Sequence, residues 1–222
     1  MDERKQLVLL GGGGHCRSVL DSARRTGMYG EIVITDVDMA AGTEFMGSRV
    51  VGNDDMLSLL FQDGIRMAFV SMGSIKSTKM RRKLCQLAVK EGFEFPNIID
   101  PSASVSEYAV LGKGIFVGKN AVINAGAVIG DMAIINTGAI IEHGCRIGCF
   151  SHVSVGAVIC GDSDIGDSVF IGANATIIQG VNVGIGSIVG AGSLVLKDIV
   201  SNSRFIGPAG KKEINGRNTD YS

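Results

Sequence analysis

Three histidines provide the chain with side chains that can move a proton near neutral pH: His15, His143 and His152. A free imidazole has a pKa near ~6.5, which suits a general base that takes a proton from an incoming nucleophile. His143 lies in a stretch that also carries Asn136 and Glu142, and His152 follows within the same stretch. This polar stretch is our first candidate site. A solvated histidine on an exposed face is the plain alternative.

A second candidate site is the run of four glycines, 11–14, that leads into His15. The apolar segment before it, 6–10, predicts a buried strand, and the segment after it, 16–25, predicts a helix. Backbone N–H groups at such a turn, together with the helix dipole, can bind phosphate. Asp36 ends the next predicted strand, where a carboxylate can bind a ribose or a base. A tight turn that binds nothing is the alternative.

The glycine-rich turn does not fit the fingerprint of a dinucleotide site. The third glycine of GxGxxG would fall on Cys16 or Arg17, depending on where the motif starts. The segment is also only half the size of a full dinucleotide-binding fold. We therefore predict a mononucleotide or a nucleotide sugar, rather than NAD, as the ligand.

A six-residue repeat fills the second half of the chain and predicts its fold. Every sixth residue from Val105 to Val195 is aliphatic, in one frame of sixteen positions. Small residues recur four positions later and glycines recur one position later. A period of six fits a parallel β-helix, in which each hexad makes one short strand and one corner, and three hexads close one coil.

The hexad frame predicts where the candidate side chains point. His143 comes two residues after the inward Ile141, and His152 comes directly before the inward Val153, so both are expected to face outward and neither is a core histidine. Between 136 and 161 polar residues replace the usual glycine. Cys145 is predicted to point inward and Cys149 outward, so the local cysteines and histidines cannot converge on one ion, and no metal is predicted.

Strands alternating with helices in the first hundred residues predict a small parallel sheet. Further elements are predicted at 31–35, 67–71 and 76–90, and Asn53 is predicted to cap a short helix. We place the boundary near Asp100 and Pro101. The predicted organisation is an α/β Rossmann-like domain at 1–100, a parallel β-helix at 101–200 and a tail at 201–222.

Composition narrows the class of protein. The formal net charge is -1, from 21 basic and 22 acidic residues, which gives no sign of a nucleic-acid surface. The N-terminus lacks the features of a signal peptide, and no stretch has the length of a membrane span. Five cysteines without a disulfide-scaffold pattern favour a reducing compartment. We expect a cytoplasmic protein without a membrane span.

The ordered motifs resemble those of the sugar O-/N-acetyltransferase family, typified by sialic acid O-acetyltransferases and bacillosamine-pathway N-acetyltransferases. The resemblance extends to about Lys212 and rests on 10–15, 70–73 and, most specifically, 135–143 continuing through 147–157. It implies that the β-helix is left-handed and that the protein is a homotrimer. It also implies an acetyl-CoA-dependent transfer to a nucleotide-linked sugar.

The resemblance also implies roles for individual residues. His143 would be the general base, and Glu142 and Asn136 would support it or orient the substrate. Adjacent residues of a strand point to opposite faces, so contact between Glu142 and His143 would need a local distortion or a subunit boundary. Acetyl-CoA would lie near His152 and the tail residue Lys211, with the Gly161 N–H receiving the oxyanion. The residues implied to hold the nucleotide sugar are Gly13, Gly14, His15, Asp36 and Gly73. The family often has paired acids where this chain has Thr35 before Asp36, which leaves UDP or GDP open.

The leading prediction is N-acetylation of a UDP- or GDP-linked 4-amino sugar in bacterial surface glycan or glycoprotein biosynthesis. O-acetylation of a sugar or sialic acid needs the same base and stays open. A non-catalytic trimeric scaffold or nucleotide-binding protein is the alternative from another class. Transfer from an acyl carrier protein is disfavoured, because no basic patch is evident for an acidic carrier.

Overall fold

The computed structural model describes residues 4–207 and 214–215. Its first part is an α/β unit with a five-stranded sheet in the order β3-β4-β2-β1-β5, parallel except for the β3–β4 hairpin. The elements are β1 Lys5–Leu10, α1 Gly14–Arg25, β2 Tyr29–Thr35, β3 Glu44–Phe45, β4 Ser48–Gly52, a 3₁₀ turn Asp54–Met56, α2 Leu57–Gln62, β5 Met67–Val70 and α3 Lys79–Glu91.

Both faces of this sheet are buried, which explains the continuous apolar run of β1. Leu7 and Leu9 face the side covered by α1, whereas Val8 and Leu10 face α2 and α3. Alternate residues of a strand point to opposite faces, so a strand covered on both sides reads as uniformly apolar. The sheet thereby holds the carboxyl ends of β1, β2 and β5 at one edge, beside the glycine-rich turn.

The predicted elements of this unit are present with shifted ends. Helix α1 begins at Gly14 rather than at 16, so His15 lies in its first turn. Helix α3 begins at Lys79 rather than at 76. Asn53 caps the 3₁₀ turn by accepting from the Asp55 N–H at 3.0 Å. The parallel strand β4 was not predicted.

The second part is a stack of two-residue parallel strands, each paired with the strand three places along the chain, as in the left-handed β-helix of hexapeptide repeats. Every aliphatic position of the predicted frame ends one of the strands β7 to β22. The strands of this part are β6 Ile98–Ile99, β7 Ser104–Val105, β8 Val110–Leu111, β9 Phe116–Val117, β10 Val122–Ile123, β11 Val128–Ile129, β12 Ile134–Ile135, β13 Ile140–Ile141, β14 Arg146–Ile147, β15 His152–Val153, β16 Val158–Ile159, β17 Asp164–Ile165, β18 Phe170–Ile171, β19 Thr176–Ile177, β20 Asn182–Val183, β21 Ile188–Val189, β22 Leu194–Val195, β23 Ser203–Phe205 and β24 Ile214–Asn215. The last two depart from the pattern, since β23 has three residues and pairs with β21, and β24 pairs antiparallel with β23.

The interior of the prism is aliphatic, as the repeat predicts. Ile141, Ile159 and Ile177 are fully buried and belong to strands stacked in one sheet. Each such side chain contributes roughly 1.5–3 kcal/mol on burial. Many corners have backbone in the left-handed region, so glycine recurs there, as at Gly144 with φ 69°.

The α/β unit docks on one face of the β-helix. Phe116 and Ile134, on strands of the eight-stranded sheet, share a buried cluster with the α1 side of the α/β sheet. The buried Asp100 joins the two parts, since its carboxylate accepts from Ser22 Oγ at 2.8 Å and pairs with Arg25 at 3.1 Å. Among the described residues, no helix combines the length and apolar character that a membrane crossing requires.

Candidate active site

His143 and Glu142 lie together at the corner that follows β13. Glu142 Oε2 is 3.4 Å from His143 Nδ1 and 3.3 Å from the His143 backbone N. The residues form a turn ending at Gly144 rather than a strand, so the alternation of neighbouring strand residues does not separate them. The His143 side chain is 61% exposed. A carboxylate at Nδ1 holds the proton there and leaves Nε2 free to accept another.

Gly161 forms the floor beneath the His143 ring. A Cβ built on Gly161 would lie 2.5 Å from Cε1 and 2.7 Å from Nε2 of His143, distances that real side chains do not reach. None of the described residues accepts a hydrogen bond from the Gly161 N–H. The arrangement therefore places a basic nitrogen and an open backbone donor at one corner, which is what acyl transfer requires.

His152 differs from its prediction. It points out of the prism, but the α/β unit covers it, so that only 7% of the residue is exposed. The expectation that it is not a core histidine was wrong, because the hexad frame does not show what docks on each face. Burial lowers the pKa of His152 to about 4. Its role near acetyl-CoA stays a prediction.

The hydrogen bonds around His152 fix its tautomer and the orientation of Asn136. Nδ1 is 3.0 Å from the Ser74 carbonyl oxygen, which can only accept, so Nδ1 carries the proton. Nε2 is then an acceptor, 3.4 Å from Asn136 Nδ2. The Asn136 Oδ1 accepts from the Thr137 N–H at 2.8 Å. The Asn136 amide is therefore held at both ends.

His15 lies beside this network, at the first turn of α1. Its ring packs edge-on against Phe116 at 5.0 Å and lies 6.1 Å from the His152 ring. Burial, with further contributions from His152 and Arg81, lowers the pKa of His15 to about 3. Its Nε2 atom is buried and has no hydrogen-bond partner within the described part of the chain. A buried ring nitrogen without a partner is rare and calls for an explanation, such as a water or a bound group.

The glycines predicted to hold a nucleotide lie around His15. No atom outside the immediate chain neighbours comes within 4 Å of a Cβ built on Gly13 or Gly14, so the start of α1 is open. Gly73 lies on the other side of the ring, with a built Cβ 3.7 Å from His15 Cβ and 3.8 Å from His152 Cε1. An open helix N-terminus beside an unpartnered ring nitrogen suits an anionic group.

Asp36 lies at the same edge, after β2, with its carboxylate oriented by backbone donors. Oδ2 accepts from the Gly12 N–H at 2.6 Å and Oδ1 accepts from the Asp38 N–H at 2.8 Å. The carboxylate thus tightens the glycine-rich turn itself. Each oxygen keeps a second lone pair for a donor on a ligand.

The predicted residues form two groups rather than one. His15, Gly73, His152 and Asn136 lie together where the α/β unit meets the eight-stranded sheet. The second group, His143 with Glu142 and Gly161, lies one corner further along the chain, beyond β13 of the six-stranded sheet. Lys211 lies outside the described residues.

Sequence reasoning missed two residues that connect the groups to the rest of the fold, Ser74 and Arg81. Ser74 contributes only its carbonyl oxygen to His152, and no side-chain pattern reports a backbone contact. Arg81 is 2% exposed on α3, and the sequence analysis did not single it out. Within the described residues, no group of three or more His, Cys, Asp or Glu is arranged to hold a metal ion.

Comparison with known proteins gives matches over both parts of the chain. Residues 6–88 match the family described as the PglD N-terminal domain, and residues 164–197 match the hexapeptide repeat of succinyl-transferase. The comparison with curated proteins gave no match.

Solved structures match over almost the whole length. A histidine-to-alanine mutant of GDP-perosamine N-acetyltransferase from Caulobacter crescentus, in complex with CoA and GDP-perosamine, is 37% identical, with 91% of this chain and 93% of that chain covered and a TM-score of 0.85. The acetyltransferase domain of PglB from Neisseria gonorrhoeae, in complex with acetyl coenzyme A, is 34% identical, with coverage of 90% and 95% and a TM-score of 0.84. WeeI from Acinetobacter baumannii, at 16% identity and a TM-score of 0.63 over 91% and 97%, shares the fold.

Identity above 30% over nine-tenths of both chains shows the family, and the hexapeptide strands and the acetyl-CoA-dependent neighbours agree with it. The chain belongs to the sugar O-/N-acetyltransferases of the hexapeptide-repeat superfamily and is an acetyl-CoA-dependent acetyltransferase.

Proposed function

We propose that this enzyme transfers the acetyl group of acetyl-CoA to the amine of a UDP- or GDP-linked 4-amino sugar. The observation that carries the proposal is the exposed His143 ring, held by Glu142 at Nδ1 and lying on Gly161. The similar enzyme from Caulobacter crescentus was solved with CoA and GDP-perosamine together, in a form that lacks one histidine.

His143 acts as the general base in this mechanism. The neutral amine of the sugar attacks the thioester carbonyl carbon while His143 Nε2 accepts the proton that the nitrogen loses. The Glu142 carboxylate stabilises the imidazolium that forms, because it accepts from Nδ1–H. The C–N bond forms, the C–S bond breaks, and the proton passes from His143 to the departing CoA thiolate.

Gly161 supplies the second element of catalysis. The tetrahedral intermediate carries a negative oxygen, and the Gly161 N–H is the donor proposed to receive it. A single backbone donor in such a position contributes roughly 3 kcal/mol to transition-state stabilisation. A thioester is already activated, so the reaction needs no covalent enzyme intermediate.

The acceptor is proposed to be held by its nucleotide in the α/β unit. The diphosphate would contact the open turn of Gly13 and Gly14, with His15 Nε2 as a neutral donor or acceptor beside it. Asp36 would accept from the ribose or the base, and Gly73 would form the opposite wall. Asn136 would orient the sugar that extends from this site.

The two groups of site residues support the proposal of a homotrimer. One corner of the β-helix carries His143, and another carries Asn136 under the α/β unit. A neighbouring copy that packed against the six-stranded sheet would bring the two groups together. We further propose that 1–100 hold the acceptor, that 101–200 carry the chemistry, and that the 201–222 tail, with Lys211, and His152 approach acetyl-CoA. The setting proposed is cytoplasmic synthesis of bacterial surface glycans or glycoproteins.

The test is thiol release from acetyl-CoA against a panel of acceptors. UDP-linked and GDP-linked 4-amino sugars are run beside free amino sugars, sialic acid and hydroxyl sugars, with His143→Ala as the paired variant. We expect one nucleotide-linked amino sugar to be acetylated, and His143→Ala to lower kcat by about 10²–10⁴-fold while acetyl-CoA still binds.

The other outcomes separate the alternatives. Turnover of hydroxyl acceptors alone would replace N-acetylation by O-acetylation with the same base. Undiminished turnover in His143→Ala would remove the base assignment. If calorimetry detected no binding of acetyl-CoA, the proposed catalysis would be contradicted and the non-catalytic trimeric scaffold would be favoured.

A further inference from the structure

Helix α3 meets the β-helix along one column of corners. Met132, Phe150 and Ser168 follow one another at intervals of 18 residues, which is one coil. All three have left-handed backbone, with φ of 59°, 59° and 57°. They are therefore the same corner in three successive coils, and they present carbonyl and side-chain groups in a vertical row.

Two arginines of α3 bind this column. Arg81 donates from Nη1 to the Phe150 carbonyl at 3.1 Å and from Nη2 to the Met132 carbonyl, so it spans two coils. Arg82 donates to Ser168 Oγ at 2.8 Å, on the third coil. The planar guanidinium of Arg81 fits two fixed carbonyls in one orientation only, which determines where α3 sits along the column.

The burial of Arg81 needs an explanation other than stability. It is 2% exposed, its Nε has no partner in the described part of the chain, and no described carboxylate forms an ion pair with it. Moving a charge out of water without a counter-ion is costly, and in the described part of the chain backbone carbonyls rather than a carboxylate offset that cost. A charged residue buried at that cost is expected to fix the relative position of the elements that it joins.

The geometry that Arg81 defines reaches the candidate site through the segment before α3. Arg81 Nη1 is 3.5 Å from Ser74 Oγ, and the Ser74 carbonyl accepts from His152 Nδ1 at 3.0 Å. His152 in turn accepts from Asn136. Gly73, the residue before Ser74, lies against both His15 and His152. The docking of α3 and the wall of the nucleotide site are thus one connected structure.

We infer that Arg81 is a positioning residue that fixes the nucleotide-holding edge of the α/β unit relative to the acetyl-transfer corner of the β-helix. This inference rests on the proposed function in that the acceptor is held by its nucleotide. Acetylation of an acceptor bound only through its sugar does not depend on the distance between that edge and that corner. Acetylation of a nucleotide-linked acceptor does depend on it. Arg81 therefore sets the preference of the enzyme for nucleotide-linked over unlinked amino sugars.

The kinetic experiment compares kcat/KM for a nucleotide-linked amino sugar with that for the same sugar without its nucleotide. The variants are Arg81→Met and Arg81→Lys, with Lys83→Met as the control, since Lys83 is exposed on the same helix. We expect the ratio to fall roughly 10- to 100-fold in Arg81→Met and less in Arg81→Lys. The KM for acetyl-CoA should stay near the wild-type value. An equal loss for both acceptors, or an unchanged ratio, would overturn the inference.

A second measurement does not depend on any acceptor. Nitrogen-15 NMR of the histidine rings reports which nitrogen of His152 is protonated. The wild-type protein is expected to show the Nδ1–H form, and Arg81→Met to show a mixture once Ser74 is released. An unchanged tautomer in Arg81→Met would refute the positioning role. If the wild-type enzyme acetylates no nucleotide-linked sugar while the tautomer changes, the proposed function fails and the positioning role stands.

Discussion

At the scale of single residues, the transfer site depends on a glycine that leaves space for a ring. The His143 imidazole occupies the position that a side chain on residue 161 would fill. Its only described side-chain partner is Glu142, and most of its surface is exposed. The ring is therefore held from one side by a carboxylate and from below by backbone, so small changes below it move the base.

Replacing Gly161 by alanine tests this arrangement. Because the new Cβ would lie 2.5 Å from His143 Cε1, the ring must rotate away, and we expect kcat to fall by roughly 10²-fold. The exposed ring can move at little cost, so the melting temperature should change little. Gly190→Ala is the control, since its Cβ would meet its nearest atoms at 3.5 Å and its backbone is ordinary. Equal activity of the two variants would contradict the assignment.

The two buried histidines predict how stability depends on pH. Burial lowers the pKa values of His15 and His152 from the ordinary 6.5 to about 3 and about 4. Below pH 6.5 the unfolded chain binds protons that the folded chain does not, so stability is full above that pH and falls as pH decreases.

Urea unfolding between pH 7.5 and pH 5 measures this loss. We expect each histidine to account for roughly 2 kcal/mol of it by pH 5. His15→Gln and His152→Gln should each remove about half of the decrease, and the double variant most of it. A decrease of the same size in the double variant would show that other groups are responsible.

At the scale of elements, α1 is joined to the start of the β-helix by Asp100. Burial raises the pKa of this carboxyl, but hydrogen bonds from Ser102 and Ser22, with the nearby Arg25 charge, outweigh burial and hold the pKa below its ordinary value of 3.8. The carboxylate is thus stabilised in its ionised form at neutral pH.

Asp100→Ala should lower the free energy of unfolding by roughly 2–3 kcal/mol, because it leaves the buried Ser22 hydroxyl without its acceptor and removes the bonds to Ser102 and Arg25. Asp21→Ala is the comparison, since the Asp21–Lys119 pair also bridges α1 and the β-helix but is exposed on both sides. Its loss should cost under about 1 kcal/mol. Chemical denaturation measures the free energy of unfolding of both variants. Similar decreases in the two would show that Asp100 contributes no more than a surface ion pair.

The sequence predicted some elements far better than others for a physical reason. The sixteen strands β7 to β22 were predicted, because each depends on its own inward residue and the same interior repeats along the axis. The strands β6 and β23, at the two ends of the eight-stranded sheet's parallel stack, lie outside the predicted repeat. Strand β4 was missed, since its hairpin turn uses Met46 and Gly47, both with positive φ, instead of an Asn-Gly signal. The hexad frame predicts that His143 faces outward, but its contact with Glu142 depends on the turn at that corner. The burial of His152 and Arg81 depends on the docking of two units, which no local pattern encodes.

At the scale of the whole molecule, the separation of His143 from Asn136 predicts complementation between copies. If a site combines His143 of one copy with Asn136 of another, co-expressed His143→Ala and Asn136→Ala chains form assemblies that contain intact sites. We expect activity well above that of either variant alone. Light scattering should show a trimer. Mixed assemblies as inactive as the single variants would show that each copy carries its own site.

The column of corners under α3 also offers equivalent docking positions at regular intervals along the axis of the β-helix. Neighbouring coils of parallel strands are spaced about 4.8 Å apart, and each coil offers an equivalent corner. An arginine that spanned Phe150 and Ser168, instead of Met132 and Phe150, would shift the α/β unit along the axis by about one such step. The reach from the nucleotide-holding edge to the transfer corner is therefore set in whole increments, since one contact can move while every strand stays in register.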